Sequence, residues 1–493
     1  MKHRFTRLLA WLYACLMLAS GAHSQTLTPA LQSRLQAVLD SFQHHYVGGM
    51  AVALQTSDGT RWHGETGYAA RNVDAQNNLL PGGTPFTVDT LSHLYSITKT
   101  FTATLILELA EEGKFSLDDS AGTYLDLRAI NDQLSGAVTL RQLLAHRSGF
   151  SDYVAETNFQ VAIAAQPSRF WQPEEALTYA KKTYEVGVRY LYSSTNYTIL
   201  GLIAEQVTGQ SAADLYRSRY FEPLGLVHTY YATTEAIGGR GYLAAPHDNL
   251  SPLNLVFRYT QQPTYPDTIT NISRLPFTGV VSAAYMAGGI VSSVDDLLTW
   301  GASLYSGQVT SRAVLDTMLQ SIPIADSADA VGRRMGYGII SDERINRGNA
   351  YFVGHGGTSP GYRALLQYAP AEQLTMAVLA NDGGVDAFAV GRRLYEVLYG
   401  VPTAAEELRA DLGQLTAVPN PATDQLRFSF TLPHRMPVSL VLYDARGAQV
   451  RVLYEGETQA AQVQLAVQAL PAGIYVSRLQ TPEGGLMRRV VVQ

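Results

Sequence analysis

The 493-residue chain contains a single cysteine, Cys15, and it lies inside an apolar leader. Removal of that leader leaves no thiol. Disulfides, a cysteine nucleophile, iron–sulfur clusters and thiolate zinc sites are thereby excluded. Lysine is also scarce: Lys2, Lys99, Lys114, Lys181 and Lys182 are all there are. The formal net charge is −6, and the three cations of the leader make the remainder more acidic still. That balance argues against a nucleic-acid partner. No H-E-x-x-H occurs, and neither His44-His45 nor His146 has a spacing typical of metal ligands. No glycine-rich phosphate loop follows a strand. Neither a metal nor a cofactor is expected. Beyond the leader, no run reaches the ~20 apolar residues that a membrane-spanning helix needs.

What is present is organised in blocks. Lys2, Arg4 and Arg7 precede the apolar run Leu8–Ala19, and Ala22-His23-Ser24 supplies small residues before Gln25. This pattern reads as a signal peptide over 1–24. A hydrophobic content of 46% with 16% charged residues fits ordinary globular domains, and the length calls for more than one. Residues 25–402 form the main domain and 403–417 a polar connector. Residues 418–493 read as short alternating runs with turns, an all-β module.

Within the main domain, Thr28 caps a helix over 29–43 with Pro29 in its first position. Met50–Leu54, the turn Ser57-Asp58-Gly59 and Arg61–Gly67 predict a hairpin. Helical patterns follow at 98–113, 139–146, 174–182, 196–208 and 211–217. Residues 238–285 lack periodicity and are expected to form a long functional loop. Helices at 294–305 and 311–320, strands at 337–341, 361–368 and 373–380, and a helix at 385–399 complete the domain. The order predicts an α+β fold. One antiparallel sheet would be built from both chain ends, flanked by helices, with an all-helical subdomain inserted.

The chemistry centres on Ser96-Ile97-Thr98-Lys99. A spacing of three places both side chains on one helical face. A serine hydroxyl needs a base before it can attack, and a buried lysine with a lowered pKa can supply one. The start of the helix also offers backbone N–H groups where an oxyanion would develop. Apolar residues after Phe101 bury this helix, and Lys99 with it.

Five segments in order carry a resemblance. They are Ser96–Ala103, Thr139–Gly149 (TLRQLLAHRSG), Tyr192–Tyr197 (YSSTNY), Ala287–Leu297 (AGGIVSSVDDL) and Gly354-His355-Gly356-Gly357. Together they resemble the serine β-lactamase-related family, which includes class C β-lactamases, D-alanyl-D-alanine carboxypeptidases, D-aminopeptidases and esterases. The resemblance covers about residues 30–400 and implies a β-lactamase/transpeptidase-like fold. It also implies acylation of Ser96, with proton transfer shared by Lys99 and Tyr192. His355 would line the pocket and bond Tyr192 or a substrate carboxylate. Gly357 would let substrate lie against its strand, and the N–H groups of Ser96 and Thr358 would form the oxyanion hole. Substrates would be small peptides, β-lactams or esters. Two positions depart from the family pattern: Ser194 stands where asparagine is usual, and Tyr95 precedes the nucleophile where a small residue is usual. His355-Gly356-Gly357 in place of Lys-Thr-Gly leans toward peptidase or esterase activity.

The last module has its own signatures: Pro419-Asn420-Pro421, Leu442–Gly447, Leu470–Tyr475 and the closing Arg488–Gln493. They resemble a type IX secretion C-terminal sorting domain, expected as a small β-sandwich. It implies contact with that secretion machinery and a secreted or surface-attached product of a Gram-negative cell.

Overall fold

The structure is a computed structural model. It describes residues 26–43, 47–74, 79–237, 243–248, 270–271, 276–320, 322–323, 333–342, 352–399, 414–444, 449–468, 470–481 and 484–492. The leader with its cleavage point, His44-His45, much of the 238–285 run and most of the connector lie outside these. Among the described residues no helix is long and apolar enough to cross a membrane. The described residues fall into two compact units, one from residues up to 344 and 351–394, the other mainly from residues after 394.

The first unit opens with α1 (Pro29–Gln43). The Thr28 hydroxyl accepts from the Leu31 N–H at 3.3 Å, as its place before Pro29 predicts. Leu31, Leu35, Val38 and Leu39 are buried on one face, which packs on the sheet. The expected hairpin follows as β1 (Gly49–Gln55) and β2 (Arg61–Val73), with β3 (Leu79–Pro85) outside it. The other strands of this sheet are β4 (Ile322–Pro323), β5 (Arg333–Met335), β6 (Ile340–Asp342), β7 (Phe352–Ser359), β8 (Tyr362–Ala369) and β9 (Leu374–Ala380). Their order is β3-β2-β1-β9-β8-β7-β6-β5-β4, antiparallel throughout. Val52 of β1 pairs with Gly64 on one side and Val378 on the other, so both ends of the domain meet in mid-sheet, as expected. Every residue of β9 is buried; its run, apolar but for Thr375, suits a strand covered on both faces.

Among this unit's helices are α2 (Thr98–Glu111), α3 (Ser194–Thr208), α4 (Thr278–Gly288) and α5 (Val294–Tyr305), and α6 (Ala387–Leu398) follows the last strand of the sheet. α2 is buried nearly all round, including Thr98, Lys99, Thr100, Thr102 and Thr104. Its threonines are satisfied locally: Thr100 and Thr104 donate to Ile97 O and Thr100 O, each at 2.8 Å. Phe101 stacks on Trp300 of α5 at 3.7 Å, and the Trp300 indole donates to Thr100 Oγ1 at 3.0 Å. α4 corrects the reading of 238–285 as loop, because its last part is helical from Thr278. Its small residues hid the helical period, yet they let it pack tightly on α3. A Cβ on Gly201 of α3 would come within 2.7 Å of Met286 and Tyr285 side-chain atoms.

The second unit is built from β10 (Gln414–Val418), β11 (Gln425–Asp444), β12 (Gln449–Ala466), β13 (Gly473–Thr481) and β14 (Gly484–Val492). This module is all-β as expected, and its first strand, Gln414–Val418, lies inside the segment read as connector and pairs with β11. The five strands hydrogen-bond as one curled sheet. β11 is long enough to hold β10 on its first half and β13 on its second, with register shifts that bend it between them. Leu426, Phe428, Phe430, Leu432, Met436, Val438, Leu440 and Leu442 alternate inward along it to make the core.

Candidate active site

Ser96 sits in the 3-10 turn Tyr95–Ile97 that leads into α2. The turn is strained at Tyr95, whose φ is 42°, a conformation that costs a non-glycine residue on the order of 1–3 kcal/mol. Packing holds it there. The Tyr95 ring lies 5.2 Å from His93 and 6.3 Å from Tyr362, and it is 5% exposed. Tyr95 therefore forms part of the cleft wall. From below, β7 presses on the same turn. A Cβ at Gly357 would fall 2.0 Å from Leu94 O, so only glycine lets strand and turn meet. On the side where a Cβ would stand, Gly357 faces the protein's own backbone, between the cleft-lining residues Gly356 and Thr358.

One turn along α2, Lys99 is fully buried. Its Nζ donates to Ser96 Oγ at 3.2 Å, Ser194 Oγ at 3.4 Å and Ala287 O at 2.9 Å. It also lies 5.1 Å from the Tyr192 ring centre and 5.7 Å from that of Tyr197. Burial lowers the ammonium to about 8, with Asp152 opposing the shift. Ser194 Oγ in turn donates to Asp152 Oδ2 at 3.4 Å. A continuous polar chain thus runs Ser96–Lys99–Ser194–Asp152. Ser194, the residue that departs from the family pattern, is its link.

Tyr192 lies just before α3, held from behind by His146. The two rings are 4.5 Å apart, and His146 Nδ1 accepts the Ser193 N–H at 3.1 Å. His146 thus positions the Tyr192 loop. Burial raises the Tyr192 phenol well above its ordinary value, while the nearby Ser96 side chain pulls the other way. Its hydroxyl is buried and completes no hydrogen bond of normal geometry among the described residues.

His355 faces Tyr192 from β7, ring centres 6.0 Å apart. Burial, with Lys99 adding to it, lowers the imidazole to about 3, so the ring is neutral near pH 7. Its Nδ1 lies 2.7 Å from Gly356 O. A carbonyl only accepts, so Nδ1 carries the proton and Nε2 is left as an acceptor. Nε2 has no partner among the described residues. A neutral ring with its open nitrogen an acceptor does not suit a substrate carboxylate, which narrows the expected role of His355 to an acceptor from Tyr192 or from a substrate donor.

These groups line a cleft of about 320 Å³. Ser96, Tyr192, Ser194, Asp152, His355 and Thr358 form its polar side, and Val154, Phe159, Ile163, Val280, Ala284 and Phe388 its apolar side. Of the sequence-derived residues, Ser96, Lys99, Tyr192, Ser194, His355 and Thr358 converge here, with Gly357 behind. Asp152 and the Ala287 carbonyl were missed. Asp152 follows the Thr139–Gly149 segment by three residues, and nothing in the local pattern marked it. Among the described residues no cluster could hold a metal ion.

Comparison with known proteins bears on the family and the fold. The Beta-lactamase family model matches residues 35–400, and the model for the secretion system C-terminal sorting domain matches 416–493. The D-aminopeptidase of Brucella anthropi is 25% identical over 428 residues, 86% of this chain and 71% of that protein. That of Brucella ovis is 25% identical over 375 residues, 75% of this chain but only 63% of its own length. Among solved structures, a D-stereospecific amidohydrolase from Streptomyces sp. superimposes with a TM-score of 0.59 at 24% identity, covering 76% of this chain and 99% of that one. The D-amino acid amidase of Ochrobactrum anthropi SV3 complexed with D-phenylalanine gives 0.62 at 23%, covering 75% and 99%. At these identities the structural likeness speaks for the fold.

Proposed function

Because the chain belongs to the Beta-lactamase family through residues 35–400 and ends in a secretion sorting domain, it is an exported serine hydrolase, and we propose that Ser96 is its nucleophile, acting on amides, peptides or esters of D-amino acids. The observation that carries this reading is the buried Lys99 ammonium, 3.2 Å from Ser96 Oγ and lowered to about 8.

At that value a useful fraction of Lys99 is neutral near pH 7–8, where it can accept the Ser96 proton. Tyr192 is held as the phenol by burial, which fits it to pass a proton on to the leaving group. Ser96 Oγ attacks the carbonyl carbon and its proton moves to Lys99. The tetrahedral oxyanion forms at the start of α2, beside the Ser96 and Thr358 backbone. The C–N or C–O bond breaks as the leaving group takes a proton through Tyr192. Water then attacks the acyl-enzyme, gives its proton to the same pair, and restores Ser96. The D-aminopeptidase relatives support an amino-acid amide as substrate.

Hydrolysis of p-nitrophenyl acetate by the exported chain tests this. Turnover should be lost in Ser96→Ala, and equal rates in both proteins would remove Ser96 from the reaction.

A further inference from the structure

Beside the hydroxyls of Ser96, Tyr192 and Thr358, the cleft presents two groups that offer a substrate a lone pair or a negative charge, His355 and Asp152. His355 offers only its Nε2 lone pair, with Nδ1–H spent on Gly356 O. Asp152 keeps partial exposure to the cleft it lines. Its Oδ1 accepts the Val154 N–H at 3.2 Å and its Oδ2 the Ser194 hydroxyl at 3.4 Å, the Ser194 backbone N–H also bonds the carboxylate, and a carboxylate has about four acceptor positions. The described lining residues include no arginine or lysine. Lys99 lies beneath them with three acceptors already: Ser96, Ser194 and Ala287. A substrate carboxylate would meet no free cation among these residues. A substrate ammonium would meet an anion and a lone pair.

We infer that Asp152 is a specificity-determining residue that binds the free α-ammonium of the substrate, making the enzyme selective for amino-terminal amino-acid amides over N-acylated or carboxyl-terminal substrates. This rests on the Ser96 reading above. In an amino-acid amide the ammonium sits on the carbon next to the acyl carbon, and Asp152 lines the same cleft as Ser96. The side chain of the same residue would then lie against Val154, Phe159, Ile163, Val280 and Ala284. Serine at 194 is part of the device. It is shorter than asparagine, and its single hydroxyl points at the Asp152 carboxylate. Burial raises the Asp152 carboxyl above its usual range; an incoming ammonium is the partner that offsets this cost.

The experiment compares kcat/KM for D-phenylalanine p-nitroanilide with that for its N-acetyl derivative, using the full exported chain. Wild type should prefer the free amine about 10–100-fold, the scale of a charge-assisted hydrogen bond. Asp152→Asn should bring the ratio close to one, and Asp152→Glu should restore part of it. A role confined to holding Ser194 and Lys99 would lower both substrates by one factor and leave the ratio standing, which overturns the inference. Competition against p-nitrophenyl acetate needs no variant: phenethylamine should inhibit wild type and N-acetylphenethylamine should not. Equal inhibition by the two, with Ser96-dependent ester hydrolysis intact, sinks the ammonium site and spares the nucleophile. Absence of any Ser96-dependent turnover removes the nucleophile reading and this inference with it.

Discussion

Lys99 carries a cost that can be measured. Replacing it with methionine removes the ammonium and roughly keeps the side-chain volume. Lysine in the unfolded chain titrates near ~10.4, whereas folded Lys99 is lowered to about 8 by burial. Between those values the unfolded chain holds a proton that the folded chain does not. Wild-type stability therefore rises with pH across that window, and the penalty is complete below about 8. The gap corresponds to about 3 kcal/mol, at ~1.36 kcal/mol per pH unit. The hydrogen bonds of Nζ to Ser96, Ser194 and Ala287 act in the opposite direction, each worth about 1 kcal/mol. At pH 7 the two nearly cancel, so Lys99→Met should fold with close to wild-type stability while losing turnover. Urea denaturation of both proteins from pH 7 to 10.5 checks this. Subtracting the variant cancels the titrations the two proteins share, such as those of the buried tyrosines. The difference should rise by about 3 kcal/mol between pH 8 and 10.5. A flat difference would refute the reasoning: the ammonium would then be stabilised in place, with Asp152 as its counter-charge.

Gly357→Ala should lower stability by roughly 1–3 kcal/mol or more, since its Cβ would lie 2.0 Å from Leu94 O; chemical denaturation reads it, and a neutral change would mean that β7 does not press on the nucleophile turn. His355 has a folded value of about 3, against ~6.5 unfolded, so the unfolded chain binds the extra proton between them and stability falls as pH drops below about 6.5. His355→Gln should make that acid destabilisation shallower, as followed by thermal melts from pH 4 to 7. Trp300→Ala removes the ring stacked on Phe101 at 3.7 Å and should cost about 3–5 kcal/mol, measured by urea denaturation.

Much of this was legible in the sequence because it depends on local pattern. Thr28-Pro29 marks a helix start, Ser57-Asp58-Gly59 a hairpin, and Ser96 with Lys99 a shared helical face. What escaped depends on contacts between distant segments. α4 was hidden because Thr278–Gly288 is small and buried rather than amphipathic. That position 357 has no room for a Cβ follows from Leu94, far away in sequence. Asp152 gains meaning only from Ser194 and Lys99 across the cleft. The protonation of His355 follows from a carbonyl 2.7 Å away, which no spacing reveals.

The central claim is that Ser96 becomes acylated, and mass spectrometry of the trapped protein tests it most directly. Incubation of the exported chain with a slowly released acylating ester, followed by acid quench and peptide mapping, should place one acyl group on Ser96, with none in Ser96→Ala. An adduct on another residue, or the same adduct in both proteins, would contradict the account.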